Sequence, residues 1–240
     1  MSEDSTAKDL SLDRSPVYGY ISQPTMIDFR GHLAIVFFLS GCNFRCRFCH
    51  NRTILQHSDN NISWSELEKA CTTFKDQWID GVVITGGEPT LSKDLKKLIE
   101  FFRGYGLKVK LDTNGSNPDI MLDLIPLIDY IAVDIKCPLE NYQDLVSYND
   151  QETLKRTINI LKSGIIPYEF RTTVIEGYHT KEMMLKIRDL VEGCERYILQ
   201  PFVPRDTVFD EKFRTLPRTS DKFIKECEEL FKGHVKELIA

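Results

Sequence analysis

The chain of 240 residues carries 31 Lys and Arg against 36 Asp and Glu, a formal charge of −5, with 42% hydrophobic residues and seven cysteines. That length allows one large domain or two small ones, with a sizeable core. The acidic balance, with no long basic run, excludes a broad non-specific nucleic-acid surface, and the longest apolar run, LAIVFFL at 33–39, is too short to span a bilayer.

Residues 1–16, MSEDSTAKDLSLDRSP, are polar and lack the apolar stretch of a signal peptide. They are expected to form a flexible N-terminal tail ahead of one domain at 17–240. An odd number of cysteines, three of them clustered, suits a compartment that keeps thiols reduced, so a cytoplasmic location is expected.

In chain order, 33–39 reads as a buried strand. Ser63 opens a helix with the capping box SWSE, in which Glu66 reaches back to the cap. GVVIT at 81–85 is a second strand, 92–102 is helical, and LKVKLDT at 107–113 is a third strand. YIAVDIK at 130–136 is a fourth. A helix at 152–162 ends near Gly164, and PYEFRTTV at 167–174 is a fifth strand. A helix at 181–191 stops before Gly193, RYILQPF at 196–202 is a sixth strand, and 220–238 reads as one amphipathic helix. Six alternations of strand and helix imply a parallel sheet, either open and doubly wound or a closed or partly closed barrel. A full eightfold barrel usually needs about 250 residues, so six units and a tail fit better.

Polar and glycine-rich segments sit at or just past the strand ends: GCNFRCRFC, GGEPT, DTNG, DIK, RTT and QPF. Ligands of parallel α/β sheets and barrels bind at the C-terminal ends of the strands, so these segments point to one mouth. The first of them holds Cys42, Cys46 and Cys49 in a C-x3-C-x2-C spacing. Thiolates select zinc or iron–sulfur clusters. Four-iron clusters usually take four cysteines, so three would leave one iron open to a substrate or cofactor. The alternative is structural zinc completed by His50 or a distant cysteine, in a zinc-stabilised binding module with no enzymatic role. Cys71, Cys194 and Cys227 read as small core or surface residues. Cys137 reads the same way, although it directly follows DIK at the mouth.

Together, GCNFRCRFCHNR, TGGEPTL, LDTNG and VDIK resemble the radical S-adenosylmethionine (radical SAM) superfamily, and within it the activating enzymes of glycyl-radical proteins. The likeness spans about 20–204. It implies an α/β fold, a partial (β/α)6 TIM-like barrel, here with a flexible N-terminal tail and a C-terminal helix. It implies a [4Fe-4S] cluster held by Cys42, Cys46 and Cys49, whose open iron binds the amino and carboxylate groups of S-adenosylmethionine. One-electron reduction of the sulfonium then yields methionine and a 5′-deoxyadenosyl radical, which takes a hydrogen atom from the substrate.

Around that cofactor the resemblance places Phe48, stacking on adenine, Gly86 and Gly87, admitting close backbone approach, and Glu88, accepting from the ammonium. Lys136 would face the carboxylate as a point charge. Arg171 and Gln200 would add further contacts. Asp112, Thr113 and Asp134 are expected beside the cofactor, where the equivalents in the pyruvate formate-lyase type help to hold a monovalent cation. Asp112 could instead cap the DTNG turn, and Arg171 could serve a structural ion pair. Arg30 departs from the family pattern, standing where a proline is common. The segment after Gln200 also lacks a histidine found in some activating enzymes. The implied partner is a glycyl-radical enzyme, with anaerobic ribonucleoside-triphosphate reductase favoured and flavodoxin or ferredoxin as electron donor. No nucleic acid or membrane is expected as a partner. Activation of pyruvate formate-lyase, or action on a small molecule in the manner of 7-carboxy-7-deazaguanine synthase, are the alternative enzymatic readings.

Overall fold

Eight strands hydrogen-bond in sequence order into one sheet. They are β1 (Val17–Thr25), β2 (Ala34–Leu39), β3 (Gly81–Gly86), β4 (Lys108–Thr113), β5 (Tyr130–Asp134), β6 (Tyr168–Val174), β7 (Arg196–Pro201) and β8 (Glu237–Ile239). The computed structural model describes residues 13–240, apart from the side chains of residues 75 and 76. β1 runs antiparallel to β2, and every later pair is parallel. Between and after the strands lie α1 (Trp64–Asp76), α2 (Leu95–Gly104), α3 (Pro118–Leu124), α4 (Tyr142–Val146), α5 (Gln151–Lys162), α6 (Lys181–Val191), α7 (Glu211–Arg214) and α8 (Asp221–Phe231). β2 to β7 are the six parallel strands of the expected partial barrel.

The local signals explain these elements. β2, AIVFFL, is buried at five of six positions, because helices cover one face of the sheet and the barrel interior lies on the other. Ser63 and Glu66 form the capping box: the Ser63 amide donates to Glu66 Oε2 at 2.7 Å, and the Glu66 amide to Ser63 Oγ at 3.2 Å. Asp150, Thr180 and Ser220 each accept a first-turn amide of α5, α6 and α8, which satisfies donors left free at a helix start. The main core packs Ile35, Phe37, Ile84, Leu111, Phe170 and Tyr197 from the sheet against Leu67, Leu98, Phe102, Leu161 and Ile187 from the helices. Cys71, Cys194 and Cys227 belong to it, which settles in favour of the core a reading open between core and surface.

Three expectations are corrected. β1 is an additional strand that the sequence reading did not place. The expected tail reaches too far: the Ser15 amide donates to Ile62 O at 3.0 Å and Arg14 bridges to Ser63, so the chain is tied down before Val17. Residues 1–12, the rest of that tail, lie outside the described residues. The final helix is shorter than 220–238. α8 ends at Phe231, Gly233 takes φ +78°, a conformation that stops a helix, and β8 follows.

At the bottom of the barrel, the N-terminal end of the parallel strands, the interior is charged. Lys110 Nζ donates to Asp28 O at 2.6 Å and to Glu169 Oε1 at 2.9 Å. Tyr130 OH donates to Glu169 Oε2 at 3.2 Å, and Arg196 Nε lies 3.3 Å from the same oxygen. Arg30, the departure noted above, reaches across from the β1–β2 turn to Glu237 on β8 at 2.6 Å. The two edges of the sheet are thus linked at the bottom. No described helix is long and apolar enough to cross a membrane.

Candidate active site

The cysteine loop follows β2 and is fixed by backbone bonds to three other parts of the chain. Gly41 and Cys42 amides donate to Ile54 O and Leu55 O at 2.8 and 3.1 Å. Arg45 and Arg47 amides donate to Val146 O and Leu145 O in α4, at 2.8 and 3.0 Å. Phe209 and Asp210 amides donate to Cys49 O and Arg47 O at 3.0 and 2.9 Å. Arg47 Nε adds a 2.7 Å ion pair with Asp210.

Gly86 and Gly87 hold the loop from the side of β3. The Gly87 amide donates to Leu39 O and the Glu88 amide to Gly41 O, both at 2.8 Å. A Cβ on Gly86 would lie 2.2 Å from Leu39 O, and one on Gly87 would lie 2.1 Å from Gly41 O. The two glycines are needed for backbone approach, and the backbone they approach is that of the cysteine loop.

Beside the loop opens a cavity of about 230 Å³. Cys42, Cys46 and Cys49 line it with Phe48, His50 and Leu55 on the loop side. Thr85, Gly86, Gly87, Asp112, Thr113, Asn114, Asp134, Lys136 and Thr173 supply the strand ends. The three thiols are free and partly buried. Burial pushes all three up, Cys46 to about 12, while the Lys136 ammonium pulls them down. A thiolate there needs compensating positive charge, which a bound metal centre provides. Phe48 is buried against Phe213, with Lys136 Nζ 5.9 Å above its ring.

The electrostatic centre of the site is Arg171. Its Nε donates to Asp134 Oδ1 and its Nη1 to Asp112 Oδ2, both at 2.8 Å. Lys136 Nζ donates to Asp134 Oδ2 at 2.8 Å. Burial alone would raise the Asp134 carboxyl, yet Arg171 and Lys136 hold it well below the usual carboxylate range. The Lys136 ammonium is shifted up, because Asp134 and Cys46 outweigh its desolvation. The Lys136 amide donates to Tyr142 OH at 3.0 Å, and its carbonyl lies 3.0 Å from His179 Nε2. Asp112 Oδ1 is buried and has no hydrogen-bond partner.

Three site expectations do not match this geometry. Glu88 does not line the cavity. It is 1% exposed and accepts from Thr90 N and Oγ1 at 3.1 and 2.5 Å, from Thr113 Oγ1 at 2.6 Å and from the Asn114 amide at 2.6 Å. It ties the ends of β3 and β4 together, and these donors take up both its oxygens. Asp112, Thr113 and Asp134 do not converge on a cation: a guanidinium stands between the two carboxylates, and the Thr113 hydroxyl donates to Glu88. Among the described residues no three His, Cys, Asp or Glu, the three thiols included, are placed to hold a single metal ion; a four-iron cluster takes one thiol per iron and needs a wider spacing. Gln200, the register partner of Thr173, is exposed and outside the cavity lining.

His50, weighed in the sequence only as a zinc ligand, lines the cavity, and its Nδ1 is buried without a partner. One feature was missed in the sequence. Asn114 Nδ2 donates to Asn43 Oδ1 at 2.9 Å, and Asn43 Nδ2 to Ser116 Oγ at 2.8 Å, clamping the cysteine loop to the turn after β4. Cys137 is fully buried among Phe44, Tyr142 and Leu145 and packs there.

The site fits the cofactors the sequence implied. Three free thiols within eight residues and the Lys136 ammonium line one cavity, as an open-iron cluster and a carboxylate-bearing ligand require.

Known proteins similar to this chain share its sequence family and its fold. The radical SAM superfamily profile matches residues 36–191. A candidate glycyl-radical enzyme activating enzyme of Methanocaldococcus jannaschii is 32% identical over 224 residues, 89% of this chain and 90% of its own. The pyruvate formate-lyase-activating enzyme of Streptococcus mutans is 25% identical over 198 residues, 77% of this chain and 75% of its own. Among solved structures, SuiB of Streptococcus suis bound to its precursor peptide SuiA has a TM-score of 0.62 at 12% identity. The match covers 85% of this chain and 48% of SuiB, and it is a likeness of fold.

Proposed function

The chain belongs to the radical SAM superfamily, and from that premise we propose that it is an activase, which removes the Cα hydrogen of one glycine in a partner enzyme. The cofactors of the superfamily are a [4Fe-4S] cluster and S-adenosylmethionine. When bound, they supply one-electron cleavage of a sulfonium and a carbon radical able to take that hydrogen. Cys42, Cys46 and Cys49 hold the iron. Lys136, pinned by Asp134, offers its charge to the carboxylate of the ligand. Phe48 and Leu55 exclude water from the wall beside the thiols.

The observation that carries the radical chemistry is the convergence of the three thiols and Lys136 on one cavity at the strand ends. The activase reading draws its support from the Methanocaldococcus relative, similar along nearly the whole of both chains. The rim agrees with a protein substrate. Phe209, bonded through its amide to the carbonyl of Cys49, is 45% exposed, and Val203 on the same segment is 40% exposed. The partner proposed is anaerobic ribonucleoside-triphosphate reductase, with a flavodoxin or ferredoxin as donor, in the cytoplasm.

The test is low-temperature electron paramagnetic resonance on anaerobically reconstituted, reduced protein with S-adenosylmethionine and the reductase from the same organism. A glycyl-radical doublet on the reductase is expected. A cluster signal without that doublet would reject this partner. It would bring forward pyruvate formate-lyase or a small-molecule substrate of the deazaguanine-synthase kind.

A further inference from the structure

The expected site for a monovalent cation is filled by protein. Asp134 and Arg171 are register partners on adjacent strands, and cross-strand neighbours of opposite charge attract. Arg171 is long enough to pass β5 and reach Asp112 on β4, so one guanidinium serves both carboxylates at 2.8 Å. Lys136 serves Asp134 from above at 2.8 Å, and Lys110 approaches Asp112 from below at 3.6 Å. Three protein cations therefore face three carboxylates, since Lys110 also pairs Glu169 at 2.9 Å, and the chain balances these charges itself. S-adenosylmethionine would add a sulfonium. A further cation would find no unbalanced carboxylate, and the guanidinium holds the place between Asp112 and Asp134. The third expected ligand has also turned away, since the Thr113 hydroxyl donates to Glu88 at 2.6 Å.

We propose that Arg171 is a built-in counter-cation. It is a positioning residue that holds Asp112 and Asp134 at the floor of the cavity in place of a bound monovalent ion. By fixing Oδ2 of Asp112 it leaves Oδ1 beside the Lys110 ammonium at 3.6 Å, and by fixing Oδ1 of Asp134 it leaves Oδ2 to orient Lys136. The protein then binds S-adenosylmethionine without potassium or sodium. This rests on membership of the superfamily and not on the identity of the partner, so it stands or falls separately from the activase reading.

The test is anaerobic calorimetric titration of the reconstituted protein with S-adenosylmethionine, in potassium chloride and in choline chloride of equal ionic strength. The unaltered protein is expected to give dissociation constants that agree within about twofold. Arg171→Gln is expected to bind about tenfold or more weakly in choline, through loss of two charge-assisted bonds. Potassium should restore much of that loss by entering the space between the carboxylates. An unaltered protein that gains about tenfold affinity from potassium would overturn the proposal, and this arm decides even if the variant does not fold. A variant weakened equally in both salts would overturn it too, because Arg171 would then be a direct ligand contact. A variant with unchanged affinity in choline would remove Arg171 from the site.

Discussion

Lys110 and Asp112 stand two residues apart on β4 and face the same interior, yet they belong to different regions. At the bottom of the barrel, Lys110 is nearly sealed from water and donates to Asp28 O and Glu169. Glu169 is in turn shared with Tyr130 and Arg196. At the mouth, Asp112 has one oxygen on Arg171 and the other 3.6 Å from the Lys110 ammonium, without a hydrogen bond. His50, a few ångströms of chain beyond the last thiol, likewise keeps a buried nitrogen unpartnered. The bottom pairs its charges within the protein, whereas the mouth pairs its carboxylates and leaves its three thiols free. Buried atoms without a hydrogen-bond partner occur at both ends, His50 Nδ1 and Asp112 Oδ1 at the mouth and Arg196 Nε at the bottom, so the free thiols on a cavity mark where a ligand completes the structure.

Breaking each end should give a different failure. The largest effect belongs to the thiols. Cys46→Ala should abolish iron–sulfur absorbance and activity together, with the fold preserved by circular dichroism; a stable cluster in that variant would remove Cys46 from the ligand set. Next comes the bottom. Glu169→Gln leaves Lys110 and Arg196 without their shared carboxylate, and loss of one partner of a buried pair costs about 3 kcal/mol or more. Denaturant unfolding should show that loss while affinity for S-adenosylmethionine stays near normal. A variant as stable as the unaltered protein would mean that the bottom network is not structural. The smallest effect in energy falls at the mouth. Lys136→Ala should keep its cluster and lose roughly 1.5–3 kcal/mol of binding, about 10- to 100-fold in affinity. Unchanged affinity would detach Lys136 from the ligand.

The comparison also shows what the sequence could carry. The six parallel strands were legible because each carries a short run of buried apolar residues, continuous in β2 and β3 and alternating in β4, β6 and β7, and the capping box of α1 is a local signal. The cysteines were legible because their spacing is local too. β1 was not, since VYGYISQPT is an exposed edge strand with only its first residue fully buried. β8 was not, since three residues carry no period, although Gly233 marked the end of the helix before it.

Glu88 and Arg171 show a deeper limit. Each lies in the expected segment, but its role depends on neighbours from another strand. Glu88 stands 25 and 26 residues from the donors of β4 and its turn, and Arg171 stands 59 residues from Asp112. The motif located these side chains, and only the register of the sheet shows which of them face a ligand and which face one another.

The measurement that tests the central claim most directly is the electron paramagnetic resonance spectrum of the reconstituted, reduced protein, taken before and after addition of S-adenosylmethionine. A three-cysteine cluster with one open iron in this cavity predicts a reduced [4Fe-4S] signal whose shape changes when the cofactor is added. A spectrum indifferent to S-adenosylmethionine, or a protein that takes up zinc and shows no such signal, would contradict it.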